Sequence, residues 1–202
     1  MYTLRSTLTS PFGRKVRLGA AVLGLTDQIT MVPGDTMDAN DSLRTQNPLG
    51  KLPTLLLEDG TAIYDSWVIL EFLQEQAGSE ALLPRSGQAR YTKLTQAKLV
   101  DGVGEAALLM MYEARFREPE QMSRRWLDHQ RGKVERGLAV LEANPPALAL
   151  DLVGIGLICV MGYLDWRKPL AWRPNHPKLV AWYDEMRAKF PQIDATAVPE
   201  HA

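Results

Sequence analysis

Ser6-Thr-Leu-Thr-Ser-Pro-Phe-Gly-Arg-Lys-Val-Arg17 joins a short apolar opening, Tyr2-Thr3-Leu4, to an amphipathic run that reaches Leu25. Ser10 before Pro11 reads as a helix N-cap followed by proline at the first helical position. The serine oxygen accepts a free helix N–H, and the proline has none to lose. Phe12, Val16, Ala20 and Leu23 then share one helical face. The charges break a local rule: Arg14, Lys15 and Arg17 crowd the half of the helix where the macrodipole is already positive and acids are preferred. Two readings follow, an anion seated at the helix start or a solvated basic face.

Working outward, Tyr2 to Arg5 is a strand, the helix spans Pro11 to Leu25, and Gln28 to Val32 is a second strand closed by Pro33-Gly34. Asp35 to Thr45 is polar and turn-rich, and Asn47-Pro-Leu-Gly-Lys-Leu-Pro53 is a loop. Thr54 to Leu57 and Thr61 to Tyr64 form a hairpin around Glu58-Asp59-Gly60, and Asp65-Ser66 caps a helix with Val68, Ile69, Phe72 and Leu73 apolar. This order builds a small mixed sheet with helices packed on it. After a linker at 79–88 the pattern is helical: Ala89 to Arg117, Pro119 to about Ala143, Asp151 to Arg167 and Pro177 to Phe190. Asp151 to Arg167 is apolar nearly all round, as expected of the buried central helix of a bundle. The domains expected are 1–78, α/β, and 89–202, all-α.

An apolar fraction of 46% and a charged fraction of 23% are ordinary for a globular protein. A net charge of −1 gives no electrostatic case for nucleic acid or an anionic membrane, and no apolar stretch is long enough to span a bilayer. The first residues lack a signal-peptide pattern. One cysteine, Cys159, excludes an internal disulfide and a Cys-based zinc site, and His129, His176 and His201 lack ligand spacing. The expectation is a cytoplasmic protein without a metal.

Thr9-Ser-Pro-Phe12, Asn47-Pro-Leu-Gly-Lys-Leu-Pro53 and Tyr64-Asp-Ser66, in this order and inside this architecture, resemble the glutathione S-transferase family, with Gly162-Tyr-Leu-Asp-Trp-Arg167 similar to its bacterial members. The resemblance covers nearly the whole chain. It implies a thioredoxin-like N-terminal domain that binds glutathione as co-substrate and an all-helical C-terminal domain that meets a small electrophile, in a homodimer with a detoxifying role. By resemblance Ser10 donates its hydroxyl to the glutathione sulfur and favours thiolate over thiol; Thr9 is the rival donor and Ser6 a more distant one. Leu52 precedes a cis-proline, Pro53, and offers its N–H and C=O to the cysteinyl part as an added strand does. Lys51 faces the glycyl carboxylate, and Ser66 and Asp65 take the γ-glutamyl carboxylate and ammonium. Asp101 either approaches the γ-glutamyl amine of a neighbouring subunit's ligand or caps a kink beside Gly102. Phe12, Ala106, Met110, Tyr112 and Trp166 form an adaptable wall for an apolar second substrate.

Two departures stand out. Gly154 occupies the place of the reciprocal acid of a capping box begun by Asp151, and a glycine there weakens the helix by up to about 1 kcal/mol. The first motif also lacks the cysteine that a dithiol mechanism requires. The leading reading is a serine-type glutathione transferase. The alternatives are a non-catalytic glutathione- or ligand-binding protein and a glutathione-dependent peroxidase or dehalogenase.

Overall fold

The computed structural model of the chain describes residues 1–199; His201 lies outside them. The N-terminal half runs β1 (Tyr2–Ser6), α1 (Pro11–Val22), β2 (Ile29–Pro33), α2 (Leu43–Gln46), β3 (Thr54–Leu56), β4 (Ala62–Ile63) and α3 (Ser66–Gln76). The sheet order is β2-β1-β3-β4, with β1 parallel to β2 and antiparallel to β3, and β3 antiparallel to β4. The second half is helical: α4 (Gly87–Phe116), α5 (Arg124–Ala143), α6 (Leu152–Arg167), α7 (Pro177–Lys189) and α8 (Gln192–Ala195). This is the thioredoxin-like domain and helical bundle anticipated above.

Alternation decides the sheet face. Leu4 and Leu55, directly opposite in register, point at Val16, Ala20, Ile69 and Leu73, and these residues form a core between the sheet and α1 and α3. α1 has a second buried face. Leu18, with Leu70 of α3, joins the larger core built round α6, where every residue from Leu152 to Met161 is buried. One helix thus belongs to both halves of the molecule.

Boundaries moved where caps competed with periodicity. α1 stops at Val22, not Leu25, because Gly24 takes φ +70 while the Gly24 and Leu25 N–H groups close back on the Ala21 and Ala20 carbonyls. Pro119 opens only a 3₁₀ turn; α5 begins at Arg124, where the Ser123 hydroxyl accepts from Trp126 N–H at 3.2 Å. Val68, grouped with the apolar face of α3, is exposed. The linker is packed, not slack. Leu82 and Leu83 are buried, and the Gln74 amide binds the segment through both its oxygen and its nitrogen, at 2.8–2.9 Å.

Gly154 reverses the expected argument. A Cβ there would lie 2.0 Å from the Ala149 carbonyl oxygen, so the close approach requires glycine. Asp151 caps α6 alone, accepting from both Val153 and Gly154 N–H at 3.0 Å, and is paired with Lys93.

Candidate functional site

Strand register gathers the three motifs. Arg5 pairs with Thr54 and Leu55 with Ile63, so the end of β1, the start of β3 and the end of β4 share one end of the sheet. Ser10, Leu52 and Ser66 each lie a few residues from that end.

Ser10 is the N-cap of α1, in extended geometry, and its hydroxyl oxygen accepts from Gly13 N–H at 3.1 Å. Accepting that bond leaves the Ser10 O–H proton free to donate outward. Phe12 N–H has no partner among the described residues, as is usual for a first helical turn. Gly13 lets the helix start sit against the end of β1, since a Cβ there would lie 1.9 Å from Ser6 Oγ. Ser6 itself is fully buried and donates to the Thr7 carbonyl. Thr9 and Thr7 share a hydroxyl–hydroxyl bond at 3.2 Å.

The second motif is held by a residue that sequence reasoning passed over. Asn47, buried, donates to the Lys51 carbonyl at 3.1 Å and the Thr54 hydroxyl at 3.2 Å, and accepts from Leu49 N–H at 3.0 Å. The loop so tied leaves the Leu52 N–H and C=O without a partner among the described residues. The Leu52–Pro53 bond is cis, as the family resemblance implied, and Lys51 is exposed. Arg5, also missed, anchors the preceding segment: its guanidinium reaches the Pro33 carbonyl, Asp41, Ser42 and Gln46 at 2.6–3.0 Å. Backbone N–H groups of Asp35 and Leu43, with Arg5 alongside, hold the Asp41 carboxyl down to about 2.

At α3, Asp65 is the N-cap and accepts from Trp67 N–H at 3.0 Å. Ser66 is buried behind it, and neither its N–H nor its hydroxyl has a partner among the described residues. The Tyr64–Asp65 bond is cis as well.

The basic cluster of α1 serves neither proposed purpose. Arg14 and Lys15 are buried, not solvated, and their partners are protein groups, not a bound anion. Arg14 donates to the Ile193 carbonyl at 2.9 Å and Arg17 to the Thr196 carbonyl at 3.1 Å; both cap the carbonyl end of the last helix. Lys15 Nζ lies 2.8 and 2.9 Å from the two oxygens of Asp101 and 5.2 Å from the Trp67 ring centre. Asp101 is correspondingly buried and committed to Lys15, which differs from both its expected roles.

The wall for a second substrate also shifts. Ala106 and Met110 are buried in the helical core. Tyr112 and Trp166 are half-buried, and Phe12 lies against α4 and α6, its ring 3.7–3.9 Å from where a Gly104 side chain would start and beside Val160. Burial pushes the Cys159 thiol up, opposed by Arg14, Lys15 and Arg17, which removes it as a nucleophile. Among the described residues no cluster of ligating side chains suits a metal ion, and no helix is long and apolar enough to cross a membrane.

The fold and site define a protein with a helical C-terminal region and a thioredoxin-like N-terminal domain that presents open backbone and hydroxyl groups at one end of its sheet. Residues 9–76 match the family model of the glutathione S-transferase N-terminal domain. The chain is 32% identical over 184 residues to YibF of Escherichia coli K12, a GST-like protein itself described as uncharacterized, with 88% of this chain and 89% of that one covered. A glutathione transferase family member from Pseudomonas fluorescens Pf-5, solved with bound glutathione, is 40% identical with a TM-score of 0.91, covering 98% of this chain and all of that one. A second structure from the same organism, 39% identical with a TM-score of 0.86 and the same coverage, carries S-(propanoic acid)-glutathione. The chain belongs to the glutathione S-transferase family.

Proposed function

We propose that the protein is a glutathione transferase in which the Ser10 hydroxyl stabilises the glutathione thiolate for attack on a small electrophile. The observation that carries this reading is the set of unspent donors and acceptors at one end of the sheet: the Ser10 O–H, the Leu52 N–H and C=O, and the Ser66 N–H and hydroxyl. Their spread suits an extended tripeptide. Leu52 pairs with the cysteinyl backbone, Ser66 at the α3 N-terminus takes the γ-glutamyl carboxylate, and the Asp65 oxygen left over from capping takes its ammonium. Lys51 meets the glycyl carboxylate. With the sulfur at the α1 N-terminus, the helix dipole, the Phe12 N–H and the Ser10 O–H all favour negative charge there.

Ser10 is preferred to Thr9 because its oxygen already accepts an N–H, which strengthens its O–H as a donor, whereas the Thr9 hydroxyl is shared with Thr7. The bound S-(propanoic acid)-glutathione of the relative supports room for a substituent beyond the sulfur. The reading places the protein in the reducing cytoplasm as a homodimer. The test is ultraviolet titration of bound glutathione at 240 nm. A thiol pKa one unit or more below the free value, restored in Ser10→Ala and kept in Thr9→Ala, supports the mechanism. An unshifted pKa on saturation refutes it and leaves a non-catalytic binding protein.

A further inference from the structure

α4 and α6 run side by side in the same direction: a side chain at Gly156 would meet Val100, and one at Gly104 would meet Val160 and the Phe12 ring. Beyond the level of Phe12, Arg115 lies about three turns past Gly104 and Arg167 about two turns past Val160, each near the same stripe of its helix. Both guanidiniums are on exposed residues and both rest on aromatic faces. Arg167 is 3.7 Å from the Trp166 ring centre; Arg115 is 5.9 Å from Tyr112 and 5.7 Å from Phe116. Tyr163 is edge-on to Trp166 at 6.3 Å. Burial pushes its phenol up to about 12, opposed by the fields of Arg167 and Arg115 and by a hydrogen bond from Arg167.

The neighbouring arginines are spent differently. Arg117 is paired with Glu113 at 3.1 Å and Arg173 with Asp165 at 2.6 Å. Among the described residues neither Arg115 nor Arg167 has a carboxylate within 4.0 Å. Their place in the last turns of α4 and α6 suits the helix dipoles, but that effect requires neither stacking nor two arginines acting on one tyrosine. Arg167, close over its ring and turned in part to Tyr163, keeps further N–H donors, and a guanidinium fork is the geometry that binds a planar anion.

The geometry points to an anion-binding rim for the second substrate: Arg115 and Arg167 take the carboxylate of an electrophile whose apolar body lies on Tyr112 and Trp166. This rests on the reading of that end of the sheet as the glutathione site. From the level of Phe12, Arg167 lies about 10 Å along α6 and Arg115 about 16 Å along α4; with the long Arg115 side chain leaning back toward the start of its helix, the two suit a carboxylate about one aromatic ring beyond the reacting carbon. With a 4-carboxybenzyl halide, the thiolate sulfur forms the new bond to the benzylic carbon as the carbon–halogen bond breaks, and the halide leaves with the electron pair.

Calorimetry on the intact protein with S-(4-carboxybenzyl)glutathione and its neutral isostere S-(4-carbamoylbenzyl)glutathione tests the rim without relying on turnover. The carboxylate should bind about tenfold tighter at low salt, a charge-assisted margin, and the margin should shrink as salt rises. In Arg115→Gln/Arg167→Gln it should fall below about twofold, and each single variant should lose part of it, with circular dichroism unchanged because both sites are exposed. Equal affinities in the wild type, or a preference that survives the double variant, overturn the proposal. A preference without any turnover of the halide supports the rim while refuting the transferase reading. Failure of glutathione and both conjugates to bind removes the site and the rim together.

Discussion

Asp101→Asn separates two roles for the same carboxylate. Lys15 Nζ contacts both Asp101 oxygens at 2.8 and 2.9 Å, and the two side chains are 2% and 7% exposed. Asparagine leaves the ammonium buried without a counter-charge, and removing one member of such a pair costs about 3–5 kcal/mol. The amide oxygen still accepts one hydrogen bond and the Trp67 ring, 5.2 Å from Nζ, still faces the cation, so the lower end is expected, about 3 kcal/mol. For a chain of this size that lowers the melting temperature by about 6–12 °C. Lys15→Met/Asp101→Leu, which removes both charges, should recover most of the loss. The assay is a melt of each variant followed by glutathione calorimetry on the folded protein. A melting temperature within 2 °C of wild type, combined with a large loss of glutathione affinity, would refute the structural role and return Asp101 to ligand binding.

Gly154→Ala should destabilise by about 1–3 kcal/mol through the clash with the Ala149 carbonyl, although helix propensity alone favours alanine by up to about 1 kcal/mol; a urea midpoint above wild type contradicts this. Asn47→Ala, which removes three side-chain hydrogen bonds, should cost about 2–4 kcal/mol and weaken glutathione binding by freeing Leu52; unchanged affinity in the folded variant breaks that link. The Asp41 carboxyl titrates lower in the folded chain, about 2 against an ordinary 3.8, so its stabilisation is present above 3.8 and lost as pH falls toward about 2. The gap in melting temperature between wild type and Asp41→Asn should therefore be full at pH 6 and close below pH 4. A gap independent of pH tells against Asp41.

Local patterns carried the reading as far as local physics reaches. The strand–helix opening, the N-caps at Ser10, Asp65 and Asp151 and the apolar run of α6 depend on neighbours within a few positions, and all were legible. The fates of Arg14, Lys15 and Arg17 were not, because their partners stand 86 to 182 residues away. Their misfit with the α1 dipole was a true signal with the wrong explanation: the compensation comes from Asp101 and from carbonyls at the end of another helix. Asn47 and Arg5 carried no local oddity, since an asparagine in a loop and an arginine in a strand are unremarkable until the third dimension buries them. On α4, apolar identity alone does not distinguish Met110, in the core, from the half-buried Met111 one residue on.

The grip of α1 on distant groups bears on how the chain is made. Synthesis delivers the N-terminal end first, and the sheet of β1–β4 with α1 and α3 is complete once residue 76 has emerged. At that moment Lys15 still lacks Asp101, and Arg14 and Arg17 lack Ile193 and Thr196. Val16 and Ala20 of α1 can already pack on the sheet, while Leu18 and the three cations stay in water until α4, α6 and α8 cover them. A chain truncated after α3 should therefore leave Leu18, Leu70 and three uncompensated cations in water, and be less stable than the same residues within the whole protein.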